Sequence, residues 1–399
     1  MFIGRLISDN PRLASAAVRA HQEGRLLSGT YLIDIDALAA NAAVLRDAAA
    51  AAGLATYFMA KQFGRNPDAS RAAVGAGLDR AVAVDPQCLE AAVTHGIRVG
   101  HAGHLVQPHR GAEQAVINAE PDVVTVFSLD IAARIGVAAA ARGRVQDVLL
   151  RVRAPGDTFY FGHGGGFPLD ELVAAATAVN RIDGLRVAGV TTFPCLLADP
   201  AQRQVVPTPN FGTLAKAADA LRGVGFDITQ VNAPGTTSAR TMEALAAGGA
   251  THVEPGNALH GTTPLHIFDP AAPEIPAIVY VSEVSHFVDG DAYVFAHGYY
   301  ADKVLGDYQL TALAGHDESA LGRRLDVHTA PDGAIHYYAV IPGAASAGVR
   351  TGDTVIFCFR PQTFVTRART QAIAGLAGGG AGDLLDRYDQ DARRVDGIS

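Results

Sequence analysis

Lys61 closes the apolar run Tyr57-Phe58-Met59-Ala60. An amine at the end of an apolar strand is partly desolvated. That lowers its pKa and readies the free base to bond a carbonyl carbon as a Schiff base. The ordinary alternative is a lysine that snorkels out of a strand end into water. Composition weakens that alternative. Only three of the 32 basic side chains are lysines, namely Lys61, Lys216 and Lys303, and the rest are arginines, which cannot form an imine. Two further segments suit an anion. Gly235-Thr236-Thr237-Ser238 precedes a helical run at 239–245, so hydroxyls and backbone N–H groups gather at a helix start, although alone such a loop is an ordinary N-cap. Glu254-Pro255-Gly256-Asn257 is the second, where Gly256 allows close backbone approach.

The elements that position these residues follow from periodicity. Extended runs at 55–60, 80–84, 97–102, 123–127, 148–152, 187–192, 228–232 and 252–253 alternate with helical segments such as 129–142, 169–179 and 211–221. Strict alternation means parallel strands with right-handed crossovers, and eight such units predict a TIM (β/α)8 barrel, with a doubly wound open sheet as runner-up. No G-x-G-x-x-G opens a helix, so a dinucleotide site lacks support. From about 276 onward, strand-like runs at 277–285, 293–295, 335–341, 353–359 and 364–366 are separated by turns, which predicts an all-β domain. The expected organisation is a helical arm at 1–28, a barrel at 29–275, and a C-terminal β-domain at 276–399 that ends, after the Gly-rich link 375–382, in a charged helix.

In such a barrel Lys61 ends strand 1 at the active face, and the two anion-suited loops follow strands 7 and 8, where phosphate sites of this fold are built. Pyridoxal 5′-phosphate needs both a lysine for its aldehyde and a cradle for its phosphate. The order and spacing of several motifs then resemble the alanine racemase-like enzymes, the type III class of pyridoxal-phosphate enzymes, and most of all their YhfX-like branch. The motifs are Tyr31-Leu-Ile-Asp-Ile-Asp-Ala-Leu38 with Asn41, Phe58-Met-Ala-Lys61, Gly189-Val-Thr-Thr-Phe-Pro194, His252-Val-Glu-Pro-Gly-Asn257 with Gly261, and Ala296-His-Gly-Tyr-Tyr-Ala-Asp302. The resemblance covers roughly 28–360.

The resemblance implies roles residue by residue. Lys61 matches the Schiff-base lysine. Thr236, Thr237 or Ser238, with the backbone of Gly256 and Asn257, match the phosphate loops. Phe193 stands where the family often stacks a histidine on the cofactor ring. Glu254 stands where alanine racemases carry an arginine facing the pyridine nitrogen; a carboxylate there would keep that nitrogen protonated. Tyr299 or Tyr300 matches the second acid/base, delivered from the β-domain of the other subunit of a head-to-tail homodimer. Adjacent residues of an extended segment point to opposite faces, so one of the two tyrosines is expected to serve.

The signatures of related lyases are missing. Cys358-Phe-Arg-Pro-Gln-Thr-Phe364 does not match the Pro-x-Cys-Asp loop of the decarboxylases, and Gly352-Asp353 leads to no His-x-Cys metal pair. The segment 157–166 is Gly-rich and follows strand 5; Arg153 and His163 are candidates there for a substrate carboxylate or a second anionic group. His101, His104 and His109 read as loop histidines, and no metal site is expected. The expected activity is an amino-acid racemase or epimerase that moves the α-proton between two bases through Lys61. The alternatives are a pyridoxal-phosphate lyase, or a cofactor-homeostasis protein of the same barrel, which the residues after 276 argue against.

Composition agrees with a small-molecule enzyme. The 399 residues are 49% hydrophobic and 18% charged, which excludes disorder for the bulk of the chain. No apolar run approaches the ~20 residues of a membrane helix. A net charge of −8 argues against nucleic-acid or anionic-membrane partners. Three widely spaced cysteines and no signal-peptide h-region in Met1 to Leu13 lead to an expected cytoplasmic location.

Overall fold

A computed structural model of the chain describes residues 1–298, 300, 309–331 and 335–396. Tyr299 and Lys303 therefore lie outside the described residues. The described chain divides into two compact units, one of residues 43–60 and 74–256, the other of residues 1–42, 61–73 and 257–399.

The first unit is the barrel. Its strands are β1 (Ala55–Thr56), β2 (Ala81–Ala83), β3 (Val99–Ala102), β4 (Val123–Val126), β5 (Gln146–Arg153), β6 (Leu185–Thr191), β7 (Gln230–Asn232) and β8 (His252–Val253). All pair in parallel in the cyclic order β1-β8-β7-β6-β5-β4-β3-β2. A parallel bridge between Phe58 and Ala81 closes the ring, with Phe58 N–H donating to Arg80 O at 2.9 Å and Val82 N–H to Phe58 O at 2.8 Å. The eight expected strands are thus the eight observed, and closure removes the open-sheet alternative. Gly189 shows how tightly β6 and β7 are joined: a Cβ there would collide with the carbonyl of Gln230.

The second unit is built on a nine-stranded sheet. Its main path runs Arg324–Val327, Leu310–Gly315, Thr354–Phe357, Ile278–Val288, Thr30–Asp34, Arg369–Ala374, Asp383–Tyr388. Two sequence expectations change here. Thr30–Asp34, placed with the barrel from sequence, lies in this sheet, antiparallel to Ile278–Val288 and parallel to Arg369–Ala374. All five of its residues are buried, and a strand buried on both faces fits any sheet that is covered on both sides, so sequence could not choose between the two. The charged terminal segment is a strand, Asp383–Tyr388, and not a helix. The Gly-rich link turns the chain back onto the edge of Arg369–Ala374, and pairing there satisfies edge N–H and C=O groups that a helix would leave open.

The N-terminal arm is part of this unit. It forms helices Ile3–Asp9 and Pro11–Gln22, separated by Asn10, whose side chain accepts from Leu13 N–H at 3.3 Å while Pro11 takes the first helical position. Phe2, Leu6, Leu13 and Ala17 pack with Val279, Val281, Leu313, Ile356 and Ile373 of the sheet. Burying a leucine there is worth about 1.5–3 kcal/mol, so the arm is the cover of one sheet face and not an independent segment. No helix among the described residues is long and apolar enough to cross a membrane.

Candidate active site

Several of the barrel strands carry a buried polar residue near their C-terminal end. These are His101 on β3, Thr125 on β4, Arg151 on β5, Thr191 on β6 and Asn232 on β7, all buried, with Glu254 directly after β8. They form a linked cluster. His101 Nδ1 donates to Glu254 Oε1 at 2.5 Å, and its Nε2 lies 2.5 Å from Thr125 Oγ1. Asn232 Nδ2 donates to the same Glu254 oxygen at 2.8 Å, and the backbone carbonyl of Asn232 accepts from Thr191 Oγ1 at 3.0 Å. His104 Nε2 stands 3.4 Å from Glu254 Oε2.

Burial on its own would raise the pKa of Glu254. The charges of His104 and His101 and the hydrogen bonds from His101 and Asn232 outweigh it and bring the carboxyl down to about 2. Glu254 is therefore an anion held inside a barrel. Its two oxygens differ. Oε1 takes two donors, whereas Oε2 is buried and, among the described residues, accepts no hydrogen bond. His101, His104 and Glu254 offer ligand atoms within 4.8 Å of one another, as a metal site would. The 2.5 Å separation of His101 Nδ1 from Glu254 Oε1 is a hydrogen-bond distance, shorter than the roughly 3.3 Å between two ligands of one tetrahedral ion.

The loop after β7 carries Thr236 in a left-handed backbone conformation (φ 45°), its hydroxyl donating to Leu196 O at 3.2 Å. Ser238 caps the short turn Ala239–Thr241, and its backbone N–H donates to Thr241 Oγ1 at 2.9 Å. The Thr237 hydroxyl is buried and meets no hydrogen-bond partner among the described residues. Gly256 is buried, and the preceding Pro255 accepts from Met59 N–H at 2.9 Å, which ties the end of β8 to the end of β1.

Phe193 follows β6 inside an aromatic group with Tyr160 (5.6 Å between ring centres), His104 (5.7 Å) and His163 (6.0 Å). Arg153 and His163 are both exposed. Arg153 Nε donates to Gly166 O at 3.2 Å, away from that group. The guanidinium that does reach it is Arg151, two residues earlier, which the sequence reading passed over. Arg151 is 1% exposed, donates to the carbonyls of His163 at 2.7 Å and His104 at 3.3 Å, and stacks 4.7 Å from the Phe127 ring. Burial brings its pKa down to about 10. The visible signal was a charge at an inward position of the otherwise apolar run Leu149-Leu150-Arg151-Val152.

Lys61, Asn257 and Tyr300 belong to the second unit. Lys61 begins a 3-10 turn, Lys61–Phe63, and its Nζ sits 4.8 Å from the centre of the Phe364 ring. Thr363 Oγ1 donates to Gln62 O at 2.7 Å, so the turn after Lys61 is held by the segment at 363–365. Asn257, with its amide turned to accept, takes Arg360 Nε at 2.9 Å and Nη2 at 3.3 Å. Arg360 and Phe364 were also unforeseen, because their segment was read only for the lyase signature it lacks. Tyr300 is 48% exposed.

Residues 33–264 match the alanine racemase N-terminal domain and residues 279–381 the YhfX-like C-terminal domain. The chain belongs to the alanine racemase-like family, a family of enzymes that bind pyridoxal 5′-phosphate. It is 37% identical over 389 residues to the protein YhfX of Escherichia coli (strain K12), covering 98% of each chain. The same fold is found in D-threonine aldolase from Filomicrobium marinum (TM-score 0.68, 18% identity, 92% of this chain and 96% of that one). It recurs in D-threo-3-hydroxyaspartate dehydratase from Delftia sp. HT23 (0.67, 19%, 90% and 97%) and in alanine racemase from Corynebacterium glutamicum (0.59, 18%, 83% and 90%).

The residues fit the family's cofactor. Two buried polar atoms that follow barrel strands, the Thr237 hydroxyl and Glu254 Oε2, make no hydrogen bond among the described residues, although His104 Nε2 stands 3.4 Å from the latter. They leave a hydroxyl for a phosphate and an anionic acceptor for a protonated ring nitrogen, in a place where unmade hydrogen bonds cost about 1–3 kcal/mol each.

Proposed function

We propose that the protein is a pyridoxal-phosphate-dependent amino-acid racemase or epimerase that works as a cytoplasmic homodimer. The observation that carries the reading is the ionised, buried Glu254 with one oxygen open at the end of β8. Bound pyridoxal phosphate supplies an aldehyde that bonds an amine and a ring that takes up the electron pair of a broken bond at the α-carbon. The residues of this chain would do the rest. Lys61 Nζ holds the aldehyde end and is one proton-transfer post. The hydroxyl of Tyr300, or of its neighbour Tyr299, is the other. Thr236, Thr237 and Ser238, with the backbone at Gly256 and Asn257, hold the phosphate. Glu254 keeps a proton at the ring nitrogen, and Phe193 lies against the ring.

Racemisation needs proton-transfer groups on both faces of a planar carbon, because the proton removed from one side must return from the other. A lysine and a tyrosine have suitable chemistry for that pair. The half exposure of Tyr300 in a single chain supports its delivery to the site of a second copy. The phosphate cradle and Lys61 recognise the cofactor, not the substrate side chain, so the substrate class proposed is an amino acid of either hand.

The test is solvent deuterium exchange over a panel of L- and D-amino acids. Deuterium entering the α-position, with both enantiomers accumulating and total amino acid conserved, is the expected result. Loss of amino acid in step with product formation would replace the racemase with a lyase.

A further inference from the structure

Glu254 is held by a line of side chains that runs across the barrel, and the inference drawn from it rests on the pyridoxal-phosphate reading. His101 is caught at both ring nitrogens, with Glu254 Oε1 at 2.5 Å from Nδ1 and Thr125 Oγ1 at 2.5 Å from Nε2. A carboxylate only accepts, so Nδ1 carries a proton. Its Nε2 meets the Thr125 hydroxyl, which can donate to a ring nitrogen or accept from a ring N–H. The carboxylate therefore fixes the proton on Nδ1, Thr125 holds the opposite edge of the ring in place, and His101 fixes which way the carboxylate faces. Asn232 adds a second donor to the same oxygen at 2.8 Å. Both donors meet Oε1, while Oε2 accepts no hydrogen bond among the described residues and has His104 Nε2 3.4 Å away. All four side chains are buried, so water does not replace a lost member cheaply.

We propose that His101, locked by Thr125, is a positioning residue. It aims the open oxygen of Glu254 at the protonated ring nitrogen of pyridoxal phosphate and thereby sets the affinity of the protein for that nitrogen. In this role His101 acts only through Glu254. A histidine in a purely structural role would support the barrel without distinguishing a ring that has the nitrogen from one that lacks it.

The experiment follows from that distinction. Apoprotein is titrated with pyridoxal phosphate and with its 1-deaza analogue, which carries CH in place of the ring nitrogen, and the two dissociation constants are compared. Wild type is expected to prefer the natural cofactor by about tenfold or more, the worth of one charge-assisted hydrogen bond. In His101→Leu the preference should shrink to within about threefold, while His101→Asn, which keeps a donor near the Nδ1 position, should retain most of it. Thr125→Val removes only the lock on the ring and should lower the preference by about threefold, which keeps the idea testable if the leucine variant does not fold. Equal weakening of both ligands in His101→Leu would make His101 structural and overturn the proposal. A wild type that binds both ligands equally would overturn it too while leaving the cofactor reading intact. A wild type that binds neither would bring down that reading as well.

Discussion

Among the described residues there are two buried glutamate–histidine clusters, one in each unit, and they are finished differently. In the second unit His266 Nε2 lies 3.1 Å from Glu274 Oε2, and its Nδ1 faces the Thr263 hydroxyl at 2.7 Å and backbone N–H at 3.1 Å. Those residues are close in sequence, and both nitrogens of the ring are engaged. In the barrel, Glu254 is gathered from separate strands with His101, Thr125 and Asn232, and one of its oxygens is left over. A closed cluster repays its burial with hydrogen bonds. An open one keeps part of that cost outstanding until a ligand arrives. Residue types alone would make the two equivalent; the unmade bond separates a structural pair from a site.

The largest expected effect is on the closed cluster. Glu274→Leu removes one partner and leaves His266 buried and unmatched, which should cost about 3–5 kcal/mol of stability by denaturant unfolding and leave cofactor affinity of the folded fraction unchanged. Glu254→Gln should do the reverse. Cofactor affinity and α-proton exchange should fall by about tenfold to a hundredfold, with a stability change smaller than at Glu274. Equal destabilisation at the two positions would erase the distinction. Tyr300→Phe sharpens it from the other side: stability should stay within about 0.5 kcal/mol, while exchange falls by about 10²-fold or more if this tyrosine is the second base.

Acid should act on His260 and Glu254 in separate pH ranges. Burial, with the charges of His266 and Arg360, brings the pKa of His260 in the second unit down to about 3. A depressed folded pKa means that stability is intact above the unfolded value of about 6.5 and is lost as the pH falls from there through about 3. Glu254 is depressed to about 2, so its contribution is present above about 4.5 and is lost only as the pH drops from there toward 2. Thermal melts between pH 7 and 4 should therefore show a falling midpoint that flattens in His260→Gln, with little change in Glu254→Gln over the same range. Arg153→Ala is the smallest case. An exposed side chain bound to one carbonyl should be within about 0.5 kcal/mol of wild type in the same melts.

Much of this frame was legible in the sequence, for a physical reason. Each barrel strand is a short apolar run between helices, and period and order alone identify all eight. Membership of Thr30–Asp34 and the state of Asp383–Tyr388 were not legible, because each depends on which distant edge the chain returns to. The same division holds at the site. Lys61, Glu254 and the loop at 235–238 were visible because strand-end positions are local facts. The links from His101 to Glu254 and Thr125, and from Arg360 to Asn257, join segments more than twenty residues apart and appear only when the strands close. A polar residue near the end of an apolar strand (His101, Thr125, Arg151, Asn232) was the pattern that would have pointed to them.

The most direct measurement mixes wild type and Lys61→Ala with pyridoxal phosphate, removes unbound cofactor, and records the visible absorbance that remains with the protein. The expected result is a band from the lysine-bonded cofactor in wild type that borohydride reduction fixes to the peptide containing residue 61, and no such band in Lys61→Ala. No band in wild type, or one of equal strength in the variant, would contradict it.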